Sequence, residues 1–241
     1  MIMGEAQIEE LTEDDPFHFD CHRQVPCFNQ CCRHLNQFLT PYDIIRLKNH
    51  LNLTADLFLK TYAETHLGPQ TRLPVITLKP GRGGAGACPF VTLSGCSVYE
   101  NRPSSCRMYP IIRVLSRSRE SGEKHIRYAL LKEPHCRGFE QSRQITVGEW
   151  MNGQGLLPFN EMNDLMMDII SLKNQNMPGY LTDETTRLFF TLCYDMDGFR
   201  DGVSDLSGRR IDVPEMAIND DMELLRFGMA YLKQNVFGGT I

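Results

Sequence analysis

The chain has 241 residues, 41% of them apolar and 23% charged, with a formal charge of −5, enough to bury a hydrophobic core as one large domain or two small ones. No stretch approaches the roughly 18 consecutive apolar residues of a membrane span, and Met1 to Glu10 have neither the basic nor the apolar region of a secretory signal. A cytoplasmic, reducing setting is therefore the expectation, and there closely spaced cysteines read as metal ligands or catalysts before disulfides.

The net charge hides an uneven distribution. Residues 1–15 carry six acids and no base, residues 16–143 a formal +9, and residues 144–241 a formal −8. A basic middle segment suits nucleic acid, or it supplies counter-charge to a buried anionic site. Eight thiols in the same segment favour the second reading.

In chain order, residues 1–16 read as a flexible acidic lead-in. Phe17 to Asp20 alternates apolar and polar residues and predicts a short strand that delivers Cys21. A cysteine loop follows, broken by Pro26 and Asn29. Thr40-Pro41-Tyr42-Asp43 is a helix start, with an N-cap, proline at the first position and an acid in the first turn. Thr54 opens a second helix with Leu53 and Phe58 as a hydrophobic staple; Leu57, Phe58, Tyr62 and Leu67 form its buried face, and Gly68-Pro69 ends it. The helical hairpin, roughly 41–67, is expected to pack on the cysteine loop. Leu73 to Leu78 predicts a strand, and Gly81 to Gly86 a glycine turn presenting Cys88.

Ile111 to Leu115 and Ile126 to Leu131 predict a hairpin with a long polar tip. From about residue 144 the pattern is helical. Thr146 and Glu149 make a capping box, and helices are predicted over 160–173, from Thr182 with Phe199 on the buried face, and over 215–233. The fold class is α+β. A small cysteine-rich metal-binding module (17–143), with a helical hairpin and short antiparallel strands, precedes a mainly helical C-terminal part (144–241) that packs on it.

Eight of the nine cysteines lie in the first 136 residues: Cys21, Cys27, Cys31, Cys32, Cys88, Cys96, Cys106 and Cys136. Thiolate selects zinc, copper(I) or iron–sulfur clusters, and eight sulfurs fill two four-sulfur sites or one cluster with four supporting thiols. Side chains of adjacent Cys31 and Cys32 are expected to diverge, which argues against both serving one mononuclear metal. Arg33, Arg107 and Arg137 each follow a cysteine, and Arg102 lies four residues before Cys106; such guanidinium groups lower thiol pKa values and offset a four-thiolate site's charge. Cys193 reads as a buried small hydrophobe. His66 and His135 are candidate extra ligands that read more simply as structural.

These residues also carry a resemblance. Phe19-x-Cys21, Cys27-x3-Cys31-Cys32, Phe38 to Ile44, Cys88-Pro89-Phe90, Cys96 to Pro103, Cys106 to Pro110, Cys136 with Gly138, and Thr146 to Trp150 resemble the YkgJ-type cysteine-cluster proteins, a family regarded as zinc- or iron-chelating. Phe189, Tyr194, Asp197, Phe199 and Arg200 continue it. Five residues separate Cys21 from Cys27 where many members have a Cys-x2-Cys-type opening, which sets Cys21 apart. The resemblance implies binding of a metal or an iron–sulfur cluster; cysteine number and arginine supply place an iron–sulfur cluster before zinc, held through the eight cysteines, and the C-terminal helices are open to a protein partner. Flagellin-lysine N-methylases carry a similar cluster, so a protein-lysine methyltransferase is the alternative by analogy; nucleic-acid binding comes third, and no membrane association is expected.

Overall fold

The computed structural model describes residues 5–33, 37–81, 86–118 and 122–238. In chain order these form β1 (Gln7–Leu11), β2 (Pro16–His18), a 3-10 turn (Gln30–Cys32), β3 (Phe38–Leu39), α1 (Pro41–His50), α2 (Ala55–Tyr62), β4 (Ala63–Leu67) and β5 (Pro74–Leu78). There follow β6 (Val91–Thr92), β7 (Gly95–Cys96), a 3-10 turn (Tyr99–Asn101), α3 (Ser104–Met108), β8 (Ile111–Arg117), β9 (Lys124–Lys132), a 3-10 turn (Gly138–Glu140), β10 (Gln144–Thr146) and α4 (Val147–Gly153). The chain ends with α5 (Leu157–Asn176), α6 (Asp183–Tyr194), α7 (Met196–Asp201), α8 (Glu215–Ile218), α9 (Asp221–Tyr231) and a π-helical turn (Leu232–Val236). Helices and short antiparallel strands coexist, so the class is α+β.

Two compact units emerge, each built from two separate stretches of chain: Met1–Leu35 with Pro80–Pro158, and Asn36–Lys79 with Phe159–Ile241. The first holds the eight clustered cysteines. Its main sheet has the order β1-β9-β8, with β1 running antiparallel to β9 from Gln7↔Lys132 to Leu11↔Tyr128. Within the stretch expected to be a loose lead-in, Gln7–Leu11 is therefore a paired strand. The long strand β9 supplies its backbone partners, and Lys132 Nζ meets Glu9 Oε2 at 2.6 Å.

β2 pairs with β10, placing Phe17 opposite Ile145. Phe17, Phe19, Ile111, Tyr128, Leu130, Ile145, Val147 and Trp150 form the core of this unit. Phe19 meets Trp150 edge-on at 5.2 Å between ring centres, and the indole N–H donates to the Met108 carbonyl at 3.2 Å. That core fixes the strand running into Cys21.

The second unit begins with α1, whose capping box is complete. Asp43 N–H donates to Thr40 Oγ1 at 3.3 Å, and Thr40 N–H donates to Asp43 Oδ2 at 2.9 Å. Thr40→Ala removes one of these acceptors at a helix end and is expected to cost about 1 kcal/mol, read from the urea midpoint. α2 ends at Tyr62, earlier than the expected stop near Gly68, because Ala63–Leu67 pairs with β5 from Ala63↔Leu78 to Leu67↔Pro74. Pairing with β5 gives alternate backbone groups of this edge strand partners that a longer helix would otherwise supply. Leu57 in α2 and Leu67 in β4, both expected in the core, are 48% and 47% exposed.

Contacts group α1 and α2 with the C-terminal helices, whose core includes Ile44, Leu47, Phe58, Phe189, Leu192, Phe199, Leu224 and Leu225. Phe199 reaches that core from α7, a separate helix from α6. The expected helix over 215–233 is two helices, since Asp220 caps α9 by accepting from Met222 N–H at 2.7 Å and Glu223 N–H at 3.2 Å. Where α6 meets α9 the backbones nearly touch: a Cβ on Gly228 would lie 2.6 Å from the Leu192 carbonyl oxygen.

A partly buried charge network lies in the same unit, around the buried Lys48. Lys48 Nζ lies 2.9 Å from Asp221 and 3.7 Å from Asp197. Arg200 pairs with both acids, at 2.5 Å and 3.1 Å. Asp197 also accepts the Ala55 N–H at 2.6 Å, which ties α7 to the start of α2.

Candidate metal centre

Four stretches of the first unit bring thiols together. The first, 20–33, is a chain of turns: Val25 N–H bonds to His22 O, Phe28 N–H to Val25 O, and Gln30 N–H to Cys27 O, at 2.9–3.0 Å. Asn29 takes a positive φ of 67°, a conformation Asn tolerates better than most residues. Val25 is the one buried side chain between Cys21 and Arg33. This segment has almost no core of its own.

What anchors its first half is the turn after β9. Asp20 N–H donates to Gly138 O at 3.1 Å, and the Cys27 sulfur accepts the Arg137 N–H at 3.1 Å. Cys21 and Cys27 are thereby held beside Cys136, whose own N–H closes the turn on Glu133 O at 2.9 Å. Gly138 makes the approach possible, since a Cβ there would lie 2.5 Å from the Phe19 ring and 2.9 Å from the Asp20 carbonyl oxygen. Gly138→Ala is therefore expected to displace Phe19 and Asp20, costing about 1–3 kcal/mol in the urea midpoint and changing the alkylation rate of Cys21.

The second half of the loop is anchored differently. Cys32 O accepts the Cys88 N–H at 2.8 Å, and Cys88 O accepts the Val91 N–H at 3.2 Å. In the β6–β7 hairpin Val91 pairs with Cys96, and Asn29 Nδ2 donates to Thr92 O at 3.0 Å. Cys106 comes from α3. Contrary to expectation, the Cys31 and Cys32 side chains converge, with their sulfurs 4.0 Å apart.

The thiols sense one another. Burial pushes Cys21 up to about 11, reinforced by Cys31, Cys27 and Cys136. A hydrogen bond between the Cys31 and Cys32 sulfurs lowers Cys31 to about 7 and raises Cys32; burial, Cys31, Cys88 and Cys106 push Cys32 further up. Burial also raises Cys88 and Cys96, with Cys31 and the Cys88–Cys96 pair adding repulsion. Cys136 is raised by burial and by Cys27, against a lowering contribution from Tyr109. Negative charge is thus resisted at most of these sulfurs, and a cation among them would relieve the repulsion while displacing protons. Soft sulfur donors of this kind fit zinc or iron.

No disulfide links the described cysteines, and among the described residues no three His, Cys, Asp or Glu side chains already stand in coordinating geometry. The thiols converge from several segments without a closed cage.

Other expectations sort unevenly. Arg107 is occupied by structure: its guanidinium donates to the carbonyls of Glu100, Arg102 and Gln154 at 2.5–3.1 Å. Arg102 precedes α3 and lowers Cys96. The Arg137 side chain pairs with Glu140 at 2.6 Å, so its contribution at Cys27 comes through the backbone N–H and at longer range. His66 lies in the second unit with its ring 3.3 Å from Thr77 Oγ1, and His135 sits 3.9 Å from Glu133. Cys193 is fully buried in α6, where burial pushes its thiol up, as expected of a small core residue. Of the glycine turn, residues 82–85 lie outside the described residues.

Tyr109 is a residue whose role the linear pattern does not disclose. Its hydroxyl is buried and makes no hydrogen bond of normal geometry among the described residues. Burial, then the neighbouring Cys136 and Glu133, push the phenol's pKa up. An orphaned donor beside a thiol is well placed to hydrogen-bond a thiolate.

No curated protein and no solved structure matches the chain. Residues 20–140 match the model of the CxxCxxCC family, described as "Putative zinc- or iron-chelating domain". The match spans all eight clustered cysteines and about half of the sequence, and the chain belongs to that family.

Proposed function

We propose that the chain is a metal-binding protein in which the cysteines of the first unit hold an iron–sulfur cluster or zinc. The observation that carries this reading is that backbone hydrogen bonds hold a cysteine stretch with almost no apolar core, residues 20–33, against the segments that carry Cys88 and Cys136. A segment so poor in buried side chains needs another source of order, and metal–sulfur bonds supply it. The iron–sulfur form comes first because eight sulfurs exceed what one tetrahedral zinc requires. Cys21, Cys27, Cys31, Cys32, Cys88, Cys96, Cys106 and Cys136 are the proposed donors, with a reducing compartment as the setting that keeps them available.

The test is elemental and sulfide analysis, with visible spectroscopy, of protein purified without oxygen. Stoichiometric iron and acid-labile sulfide with visible charge-transfer absorption support the cluster. A colourless protein with stoichiometric zinc selects zinc. Protein that carries neither and takes up neither overturns the reading.

A further inference from the structure

Two different parts of the backbone hold the thiols. Cys21 and Cys27 are fastened to the turn that carries Cys136, through Asp20 N–H to Gly138 O and Arg137 N–H to the Cys27 sulfur, both 3.1 Å. Cys88 and Cys96 are fastened to each other through the Cys88–Val91 turn and the β6–β7 pairing, and to Cys32 through the 2.8 Å bond from Cys88 N–H. The backbone bonds just named run within one group or the other. Cys31 and Cys32 stand between them, consecutive in sequence with sulfurs 4.0 Å apart.

Resting on the proposed metal-binding function, we infer that the chain holds two adjacent four-sulfur centres and not one: Cys21, Cys27, Cys31 and Cys136 for the first, Cys32, Cys88, Cys96 and Cys106 for the second. The adjacent pair donates one sulfur to each centre and is the only covalent link between them shorter than a loop. Four thiolates complete a tetrahedral zinc or a four-iron cluster, so eight are the complement of two such centres.

The chemical consequence is stepwise loading. Each centre forms by exchanging the thiol protons of its set for metal–sulfur bonds, with the protons released to solvent and no redox change when the metal is zinc. The second centre closes beside a first that already carries a net charge of about −2 if it is zinc with four thiolates, so the second metal binds more weakly.

The probe is zinc added without oxygen to the metal-free full-length chain, followed by intact-mass measurement under native conditions. Wild type is expected to take two zinc ions per chain. The double variants Cys21→Ser/Cys136→Ser and Cys88→Ser/Cys96→Ser are each expected to take one. A variant-free readout covers poor folding of either. Wild type loaded with one zinc and pulsed with an alkylating reagent should protect one set of thiols and leave the other labelled. Saturation at one zinc, or loss of all zinc in either double variant together with protection spread evenly over the eight thiols, overturns the two-centre assignment alone. Failure to bind zinc or iron at all overturns both it and the function on which it rests.

Discussion

Metal removal is expected to strip amide-exchange protection from residues 20–33 and 86–106 while leaving α1, α6 and α9 protected. The two sets of amides differ in what holds them. In 20–33 the one buried side chain is Val25, and in 86–106 the buried apolar ones are Ala87, Phe90 and Val98 beside a few small or polar groups. At about 25 cal/mol per Å² of apolar area, side chains so few cannot offset roughly 1–2 kcal/mol per ordered residue of backbone entropy. The helices of the second unit bury Leu47, Phe58, Leu192, Phe199, Leu224 and Leu225 almost completely. Structural zinc contributes on the order of 10 kcal/mol of binding energy in small domains, comparable with the whole stability of a typical domain, about 5–15 kcal/mol. Hydrogen exchange read by mass spectrometry, before and after chelation, measures the contrast. Uniform loss of protection across both units, or none, contradicts it.

Asp221→Ala is expected to lower stability by about 3 kcal/mol, the scale for removing one partner of a buried ion pair. Lys48 is 4% exposed and has its shortest ion pair with Asp221, at 2.9 Å. After the substitution it keeps only the 3.7 Å contact with Asp197 and a 3.0 Å bond to Asn49. Arg200 loses its shorter pair as well. Burial alone would raise the Asp221 carboxyl, but hydrogen bonds from Arg200, Lys48 and Asn49 outweigh it and hold the carboxyl below its ordinary value of 3.8. A lowered folded-state pKa contributes stability that is fully present above the ordinary value and is lost as pH falls through the folded one. Urea midpoints of wild type and variant should therefore stay apart at neutral pH and converge in strong acid. A constant gap down to the lowest accessible pH would show that packing, and not the charge network, sets the difference.

Local signals in the sequence were read well where the chemistry was local. The capping boxes at Thr40 and Thr146, the strands at Pro74–Leu78 and over β8 and β9, and the buried place of Cys193 all follow from neighbouring residues. Expectations failed where a distant partner decided the outcome. Residues 7–11 look like an acidic tail until β9 is present to pair with them, and 63–67 continue a helical pattern until β5 competes for their backbone groups. The cysteines could be counted but not arranged, because their grouping depends on hydrogen bonds between residues as far apart as Cys27 and Arg137. Flanking arginines show the same limit. Adjacency in sequence placed Arg107 beside Cys106, whereas its guanidinium turns to three carbonyls that no spacing rule reveals.

Both units are discontinuous in the chain, with Asn36–Lys79 of the second unit lying between the two stretches of the first. During synthesis Cys21, Cys27, Cys31 and Cys32 emerge well before Cys136. At roughly 5–20 residues per second, the hundred-odd residues between Cys32 and Cys136 take on the order of 10 s. Cys88, Cys96 and Cys106 join them on the way, and the eighth clustered thiol arrives only at the end of that interval. Neither unit can fold as a finished block before the next begins, and truncation at residue 143 or 79 would sever both rather than liberate one. Completion of the thiol set therefore waits until Asn36–Lys79 of the second unit has already been synthesised.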